Sequence, residues 1–154
     1  MTLNPAQQKL IDDIAAHGVA VVLIEPHDGR DEHIGYTVGL QRNAGWPELV
    51  IFGLEAPLMN MMLNGAVLQM QGDKLAPTPG LLLDKVVEGA SLKLIEQPGI
   101  EADTLAMAGW FKQHRDYDYP LRWLQLAWPD EAGRFPDDPD CDPDTRVVQM
   151  PRAD

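Results

Sequence analysis

The chain has 154 residues, apolar and charged fractions of 45% and 23%, and a formal net charge of −12. A chain of this length is typical of one domain and buries enough surface to fold without disulfides. The acidic excess excludes a surface for nucleic acid or anionic membrane, because phosphate binding requires concentrated Lys and Arg. The single cysteine, Cys141, excludes an internal disulfide and is compatible with a reducing cytoplasm. The sequence shows no signal-peptide pattern and no apolar run of the roughly 18 residues that span a membrane. We therefore expect a cytoplasmic protein.

The first half of the chain predicts a helix followed by three strands. The Asn-Pro pair at residues 4–5 is typical of a capped helix start, and Gly18 is typical of a helix end. The β-branched run 19–24 indicates a strand buried on both faces. Two further strands are predicted over 33–40 and 48–54, and their short polar connections favour antiparallel pairing.

The second half predicts two helices and three strands. Apolar residues, several of them Met, recur at helical spacing from Pro57 to about Gly72 and indicate a core-facing helix. Strands are predicted over 81–87, 91–96 and 122–128, with a helix beginning near residues 103–104.

The segment 137–154 differs in composition from the rest, because aspartates and prolines interrupt it repeatedly. Such a segment buries too little apolar surface to fold alone, so we expect an acidic extended C-terminal strap. Val147, Val148 and Met150 are its expected anchors. With this strap, residues 1–154 are predicted to form a single α+β domain. Its sheet is mainly antiparallel, with a partly open split barrel as one form, and two to three helices pack against it.

Polar and aromatic residues lie in or at the ends of strands that we expect to be neighbours. These candidate ligand-binding residues are Tyr36, Thr37, Glu48, Gln125, Trp128, Asp130 and Arg134. A pocket needs a stacking ring and a few fixed polar groups. Trp128 would stack on a ligand, Gln125 would recognise a donor–acceptor pair, and Arg134 would bind a carboxylate or phosphate. The alternative is a scaffold, in which Glu48 pairs with Arg134 and Asp130 caps the turn that follows it.

A second cluster lies in the turn between the first two predicted strands. It contains His27, Asp28, Asp31, Glu32 and His33. Imidazoles and carboxylates this close together could bind a divalent metal. The alternative is a solvated turn, which holds ligands poorly, and we expect no metal site.

Three stretches are specific as a set: GYTVGL, WPELVIFGL and LQLAWPDEAGRFP. In this order the sequence resembles a bacterial family known as domain of unknown function 4262, from about Gly18 to Pro143. The resemblance rests on an aromatic-Thr-Val-Gly-Leu strand, a Pro-Glu-Leu strand and a Gln-Leu-x-Trp-Pro-Asp strand that precedes Gly-x-Phe-Pro. The chain departs from this pattern at Trp46, where relatives often carry His, and at Asp137, where they often carry Trp. The resemblance implies a fold and no established activity.

The opening strands also resemble, more weakly, those of split-barrel flavin-binding proteins. In those proteins the residues that follow the strand threonine are rich in Ser and donate hydrogen bonds toward the flavin phosphate. Here Val38 and Gly39 follow Thr37, so those hydroxyl donors are missing. By this resemblance FMN is an alternative cofactor, and a homodimer is expected by analogy.

The sequence as a whole favours a binding domain for a small molecule or a protein partner. A split-barrel FMN-binding protein or reductase is one alternative. An acidic inhibitor or immunity-like protein for a basic partner is another. No nucleophile elbow or Gly-rich phosphate loop is present, so the sequence leaves open whether the protein is an enzyme.

Overall fold

The computed structural model describes residues 2–24, 33–96, 105–115 and 120–149. Its helices are α1 (Pro5–His17), α2 (Leu40–Ala44), α3 (Ala56–Gly72), α4 (Ala106–His114) and α5 (Pro143–Gln149). Its strands are β1 (Ala20–Ile24), β2 (Ile34–Val38), β3 (Glu48–Phe52), β4 (Leu82–Val87), β5 (Ala90–Glu96) and β6 (Trp123–Ala127). The α+β prediction is confirmed.

The described strands form one open sheet in the order β1-β2-β3-β6-β5-β4. The predicted antiparallel pairing of the first three strands is confirmed. Strand β6 then inserts between β3 and β5, and it runs parallel to β3. Strands β1 and β4 are the two edges of the sheet, so the fold does not show the split-barrel likeness.

Helices cover both faces of this sheet. Alternate strand residues such as Leu49 and Leu124 belong to one apolar core, which includes the buried face of α3. Strand residues that alternate with these, such as Tyr36 and Val50, belong to a second core on the other face of the sheet, which includes residues of α1 and α4. A sheet covered on both faces explains why β2 and β3 are buried along their whole length.

The ends of helix α1 form as the sequence predicts. The Asn4 side chain accepts a hydrogen bond from the Gln7 backbone N–H, and the Gln7 side chain bonds back to Asn4. At the other end Gly18 adopts a left-handed conformation with φ +81°. The predicted cap of α4 at Asp103 or Thr104 lies outside the described residues.

The structure of two segments differs from the prediction. The strand predicted over 33–40 ends at Val38, because Gly39 has φ +106° and opens the short helix α2. The tail contains helix α5 where an extended strap was predicted, and Gln149 anchors it with 0% of its surface exposed. The expected anchors Val147 and Val148 are 56% and 47% exposed, and Met150 lies outside the described residues.

Candidate functional site

The buried carboxylate of Glu48 is held where the parallel strands β3 and β6 begin, at their amino ends. Glu48 is 1% exposed and accepts hydrogen bonds from the Thr37 hydroxyl at 2.8 Å and from the Gly39 N–H at 3.0 Å. The N–H groups of Leu40 and Gln41 donate to it as well, both at 3.2 Å. The carboxylate therefore satisfies the free N–H groups at the start of α2, which a helix this short cannot satisfy itself.

Burial and hydrogen bonding act on the Glu48 carboxyl in opposite directions. Burial raises the pKa of Glu48 to about 7, although the bonds from Thr37 and from the three backbone N–H groups lower it. All of these neighbours donate, so the arrangement suits the ionised form. The Thr37 hydroxyl also accepts the Leu49 N–H at 2.9 Å and thereby joins β2 to β3.

Gln41 extends this network to the chain that enters β6. Its side-chain amide donates to the Pro120 carbonyl and accepts from the Arg122 N–H, both at 2.8 Å. The Arg122 carbonyl in turn accepts the Glu48 N–H at 2.9 Å. Helix α2 and β6 are therefore connected through the amide of one buried side chain.

Tyr36 lies under α4 on the second core. Its ring packs edge-on against Trp123 with centroids 6.0 Å apart, and its hydroxyl accepts the Met107 N–H at 3.3 Å. Burial raises the pKa of Tyr36 to about 12, so the phenol stays neutral. Tyr36 pairs with Val50, which pairs with Gln125, so Tyr36 and Gln125 lie in one row across the sheet with Val50 between them.

The carboxyl ends of β3 and β6 form a second polar site, which the tail occupies. The Gln149 side-chain oxygen accepts the Trp128 N–H at 3.0 Å, and its amide nitrogen donates to the Trp128 carbonyl at 2.8 Å. The Gln125 side chain donates to the Gln149 backbone carbonyl at 2.7 Å. One glutamine thus satisfies three polar groups of β6 and the residue that follows it. We call these groups, the Gln125 amide and the Trp128 N–H and C=O, the amide slot.

The surroundings of the amide slot are fixed by close packing. The Trp128 indole N–H donates to the Phe52 carbonyl at 2.9 Å and so joins the ends of β6 and β3. Gly53 has φ +91°, and a Cβ at this position would lie 2.8 Å from the Val148 carbonyl. The main chain of α5 therefore rests directly on the backbone at Gly53.

Asp130 organises the loop between β6 and α5. Its carboxylate accepts the N–H groups of Ala132 at 2.9 Å and of Arg134 and Asp142 at 2.8 Å. These bonds, that of Arg134 first, lower the pKa of Asp130. Arg134 donates to the Asp140 carbonyl at 2.7 Å. Arg134 and Glu48 both lie in the described part of the chain, and they form no ion pair with each other. The predicted Glu48–Arg134 pair is therefore wrong, and Asp130 caps the turn in the way the scaffold alternative requires.

The seven candidate residues thus separate into distinct groups. Thr37 and Glu48 lie at the amino ends of the parallel strands, and Trp128, Asp130 and Arg134 lie beyond the carboxyl end of β6. Tyr36 and Gln125 lie between these ends, and the ligand-binding role of all seven stays a prediction.

Two residues that complete the polar networks, Gln41 and Gln149, were not predicted. A lone glutamine in a turn or tail carries no sequence signal of the contact it makes. Of the turn from His27 to His33, where metal binding is the less favoured interpretation, only His33 is described, and the described residues contain no cluster of three metal-ligating side chains.

These features define an α+β protein with an open sheet, whose parallel pair carries a buried carboxylate at one end and the amide slot at the other. The sequence model of the family described as domain of unknown function (DUF4262) matches residues 13–142. The match covers most of the chain, so the protein belongs to this family, as the sequence resemblance predicted. Neither a curated protein nor a solved structure was found to match the chain. In the described part of the chain, no helix has the length and apolar character needed to cross a membrane.

Proposed function

We propose that this protein is a binding domain that takes a small ligand or a segment of a protein partner at the amide slot. The observation that carries the proposal is the way Gln149 is held. Its side chain and carbonyl are recognised by Gln125 and by the main chain of Trp128, as those of a bound ligand would be. A site with a few fixed polar groups beside a ring is typical of ligand recognition.

The position of α5 relative to the family region supports the proposal. The family match ends at residue 142, and α5 is Pro143–Gln149. Trp128 belongs to the matched region, whereas Gln149, which pairs with its N–H and C=O, does not. The matched region therefore presents one donor and one acceptor at Trp128, and leaving such groups unpaired inside the protein is costly.

The weak docking of α5 also supports the idea that another segment can replace it at the amide slot. The helix has seven residues, too few to be stable by itself. It leaves Val147 and Val148 about half exposed. Among the described residues the Arg146 Nε atom is buried without a hydrogen-bond partner, which weakens the docked state. Helix α5 is held by Gln149 in the amide slot, by the bond from the Arg146 guanidinium to the Asp138 carbonyl and by the contact of Val148 with Gly53.

The proposal is tested by supplying the tail in trans. The probe is the peptide PDTRVVQ with a C-terminal amide, which has the sequence of α5. It is titrated into the full-length Gln149→Ala chain while the backbone N–H and indole N–H signals of Trp128 are followed by NMR. Saturable shifts at Trp128 are expected, and they should be weaker in the unaltered chain, whose own tail competes.

The matched control is Gln71→Ala, which removes an exposed glutamine from the end of α3. It should bind the peptide as weakly as the unaltered chain does. If no shift appears at Trp128 in the folded Gln149→Ala chain, the proposed binding function is wrong.

Binding of a basic protein partner is a second candidate, favoured by the order of the acidic loop. Asp130, Asp138 and Asp142 each accept a backbone N–H within the loop or at the start of α5. Exposed carboxylates such as Asp140 and Asp144 are thus carried on fixed turns, and fixed charge of one sign accelerates association with a partner of the other sign. A lysine-rich peptide should bind in a salt-sensitive manner, and less tightly after Asp140→Asn and Asp144→Asn. Equal binding by both forms would contradict this candidate.

A further inference from the structure

We infer that the amide slot is selective for a glutamine residue within a peptide segment, with its primary carboxamide as the recognised group. This inference rests on the proposed binding function and names its ligand class. It extends from the contacts of Gln149 to a partner segment that carries the same groups.

The first step concerns the side chain. To the Gln149 side chain the slot offers one donor, the Trp128 N–H, and one acceptor, the Trp128 carbonyl, which lie 3.0 and 2.8 Å from the two ends of the Gln149 amide. A carboxamide carries an acceptor and a donor on one carbon and matches both. A carboxylate only accepts, so its second oxygen would face the Trp128 carbonyl. An ammonium group only donates, so it would leave the Trp128 N–H unpaired.

The second step concerns the main chain of the ligand. The Gln125 side chain donates to the backbone carbonyl of Gln149 at 2.7 Å, and Gln125 is itself fully buried. A free carboxamide would lack this carbonyl. The ligand is therefore a residue in a peptide, recognised by its side chain and its carbonyl together.

The third step concerns the residue before the glutamine. The Val148 carbonyl lies 2.8 Å from where a Cβ on Gly53 would be, so the ligand main chain contacts bare backbone there. The Val148 side chain lies within 3.0 Å of the same point. This close approach favours an extended contact by a peptide over an isolated small amide.

The slot is held in place independently of α5. The bond from the Trp128 indole to the Phe52 carbonyl ties the end of β6 to β3, and Gln125 belongs to the central strand β6. Neither constraint involves the tail. The donors and the acceptor are therefore positioned before a ligand arrives, which lowers the cost of binding.

The test compares three peptides on the full-length Gln149→Ala chain, with binding followed at Trp128 by NMR. The peptides are PDTRVVQ with a C-terminal amide and its two versions with Glu or Met in place of the glutamine. The Met version keeps the length of the side chain and loses both hydrogen bonds. We expect each version to bind at least about tenfold more weakly than the glutamine peptide, because Met leaves both polar groups of Trp128 unpaired and Glu places an oxygen against the Trp128 carbonyl.

A second variant, Gln149→Met, repeats the comparison with a side chain of similar volume in case the alanine variant does not fold. The same ranking is expected on the unaltered chain at weaker affinity. Equal binding of all three peptides, with shifts at Trp128, overturns the selectivity and leaves the binding function standing. No binding by any peptide overturns both.

Discussion

Glu48→Gln is the substitution that most directly tests how the amino ends of β3 and β6 are held. The glutamine keeps the size of the side chain and replaces one carboxylate oxygen by an NH₂ group. That group would face a donor, either the Thr37 hydroxyl or one of the N–H groups of α2. The variant therefore loses hydrogen bonds and also loses the cost of burying a charge.

The cost of burying the charged Glu48 carboxylate depends on pH, and the direction in which the pKa of Glu48 is shifted decides whether stability rises or falls with pH. The pKa of Glu48 is raised from 4.5 to about 7, so between these values the folded state binds more protons than the unfolded state. The contribution of Glu48 to stability therefore falls as the pH rises through this window and is constant above it. At about 1.4 kcal/mol per pKa unit, the fall amounts to about 3 kcal/mol between pH 4.5 and 7.

The assay is urea unfolding of the unaltered chain and of Glu48→Gln at several pH values from 4.5 to 8. The free energy of unfolding of the unaltered chain, minus that of the variant, should decrease by about 3 kcal/mol across this range. Glu55→Gln, which removes an exposed carboxylate at the start of α3, serves as the control and should show no such decrease. A difference that is constant with pH, or that increases, would refute the reasoning, because the hydrogen bonds would then outweigh burial.

Three further substitutions test the remaining polar contacts. Gln41→Ala leaves two backbone groups before β6 unpaired and should lower the free energy of unfolding, measured in urea, by about 1–3 kcal/mol, whereas Arg42→Ala should not. Gly53→Ala introduces a side chain at φ +91° and against α5, so hydrogen exchange across residues 143–149 should accelerate by at least about tenfold. Asp130→Ala removes three acceptor contacts and should expose the following loop to limited proteolysis, while a loop cut at the unaltered rate would show that these bonds are dispensable.

The helices and strands could be predicted because their patterns are local. The Asn-Pro start and glycine end of α1, and the β-branched run of β1, carry their structure in adjacent residues. The place of β6 could not be predicted in this way, because pairing between distant strands leaves no mark on either sequence. A parallel neighbour for β3 requires a long crossover, which here includes α3, β4, β5 and α4.

Helices α2 and α5 could not be predicted from the sequence, and the physical reason differs between the two. Helix α2 has five residues and no side-chain cap of its own, so its stability comes from Glu48, which follows it in the chain. Helix α5 lies in a composition typical of disorder and is ordered by the docking of Gln149. In both cases tertiary contacts override local preference.

The two ends of the parallel pair differ in a way that bears on function. At the amino end, the residues that donate to Glu48 and Glu48 itself all lie within residues 13–142, so the family region closes this end by itself. At the carboxyl end, the matched region supplies Gln125 and Trp128, and Gln149 of the tail satisfies them from outside it. A carboxyl group buried among four donors suits a permanent structural contact, whereas a neutral glutamine held by two hydrogen bonds to its side chain and one to its carbonyl can exchange at lower cost. The binding site that we propose for a partner segment therefore lies at the carboxyl end, where the tail occupies the amide slot.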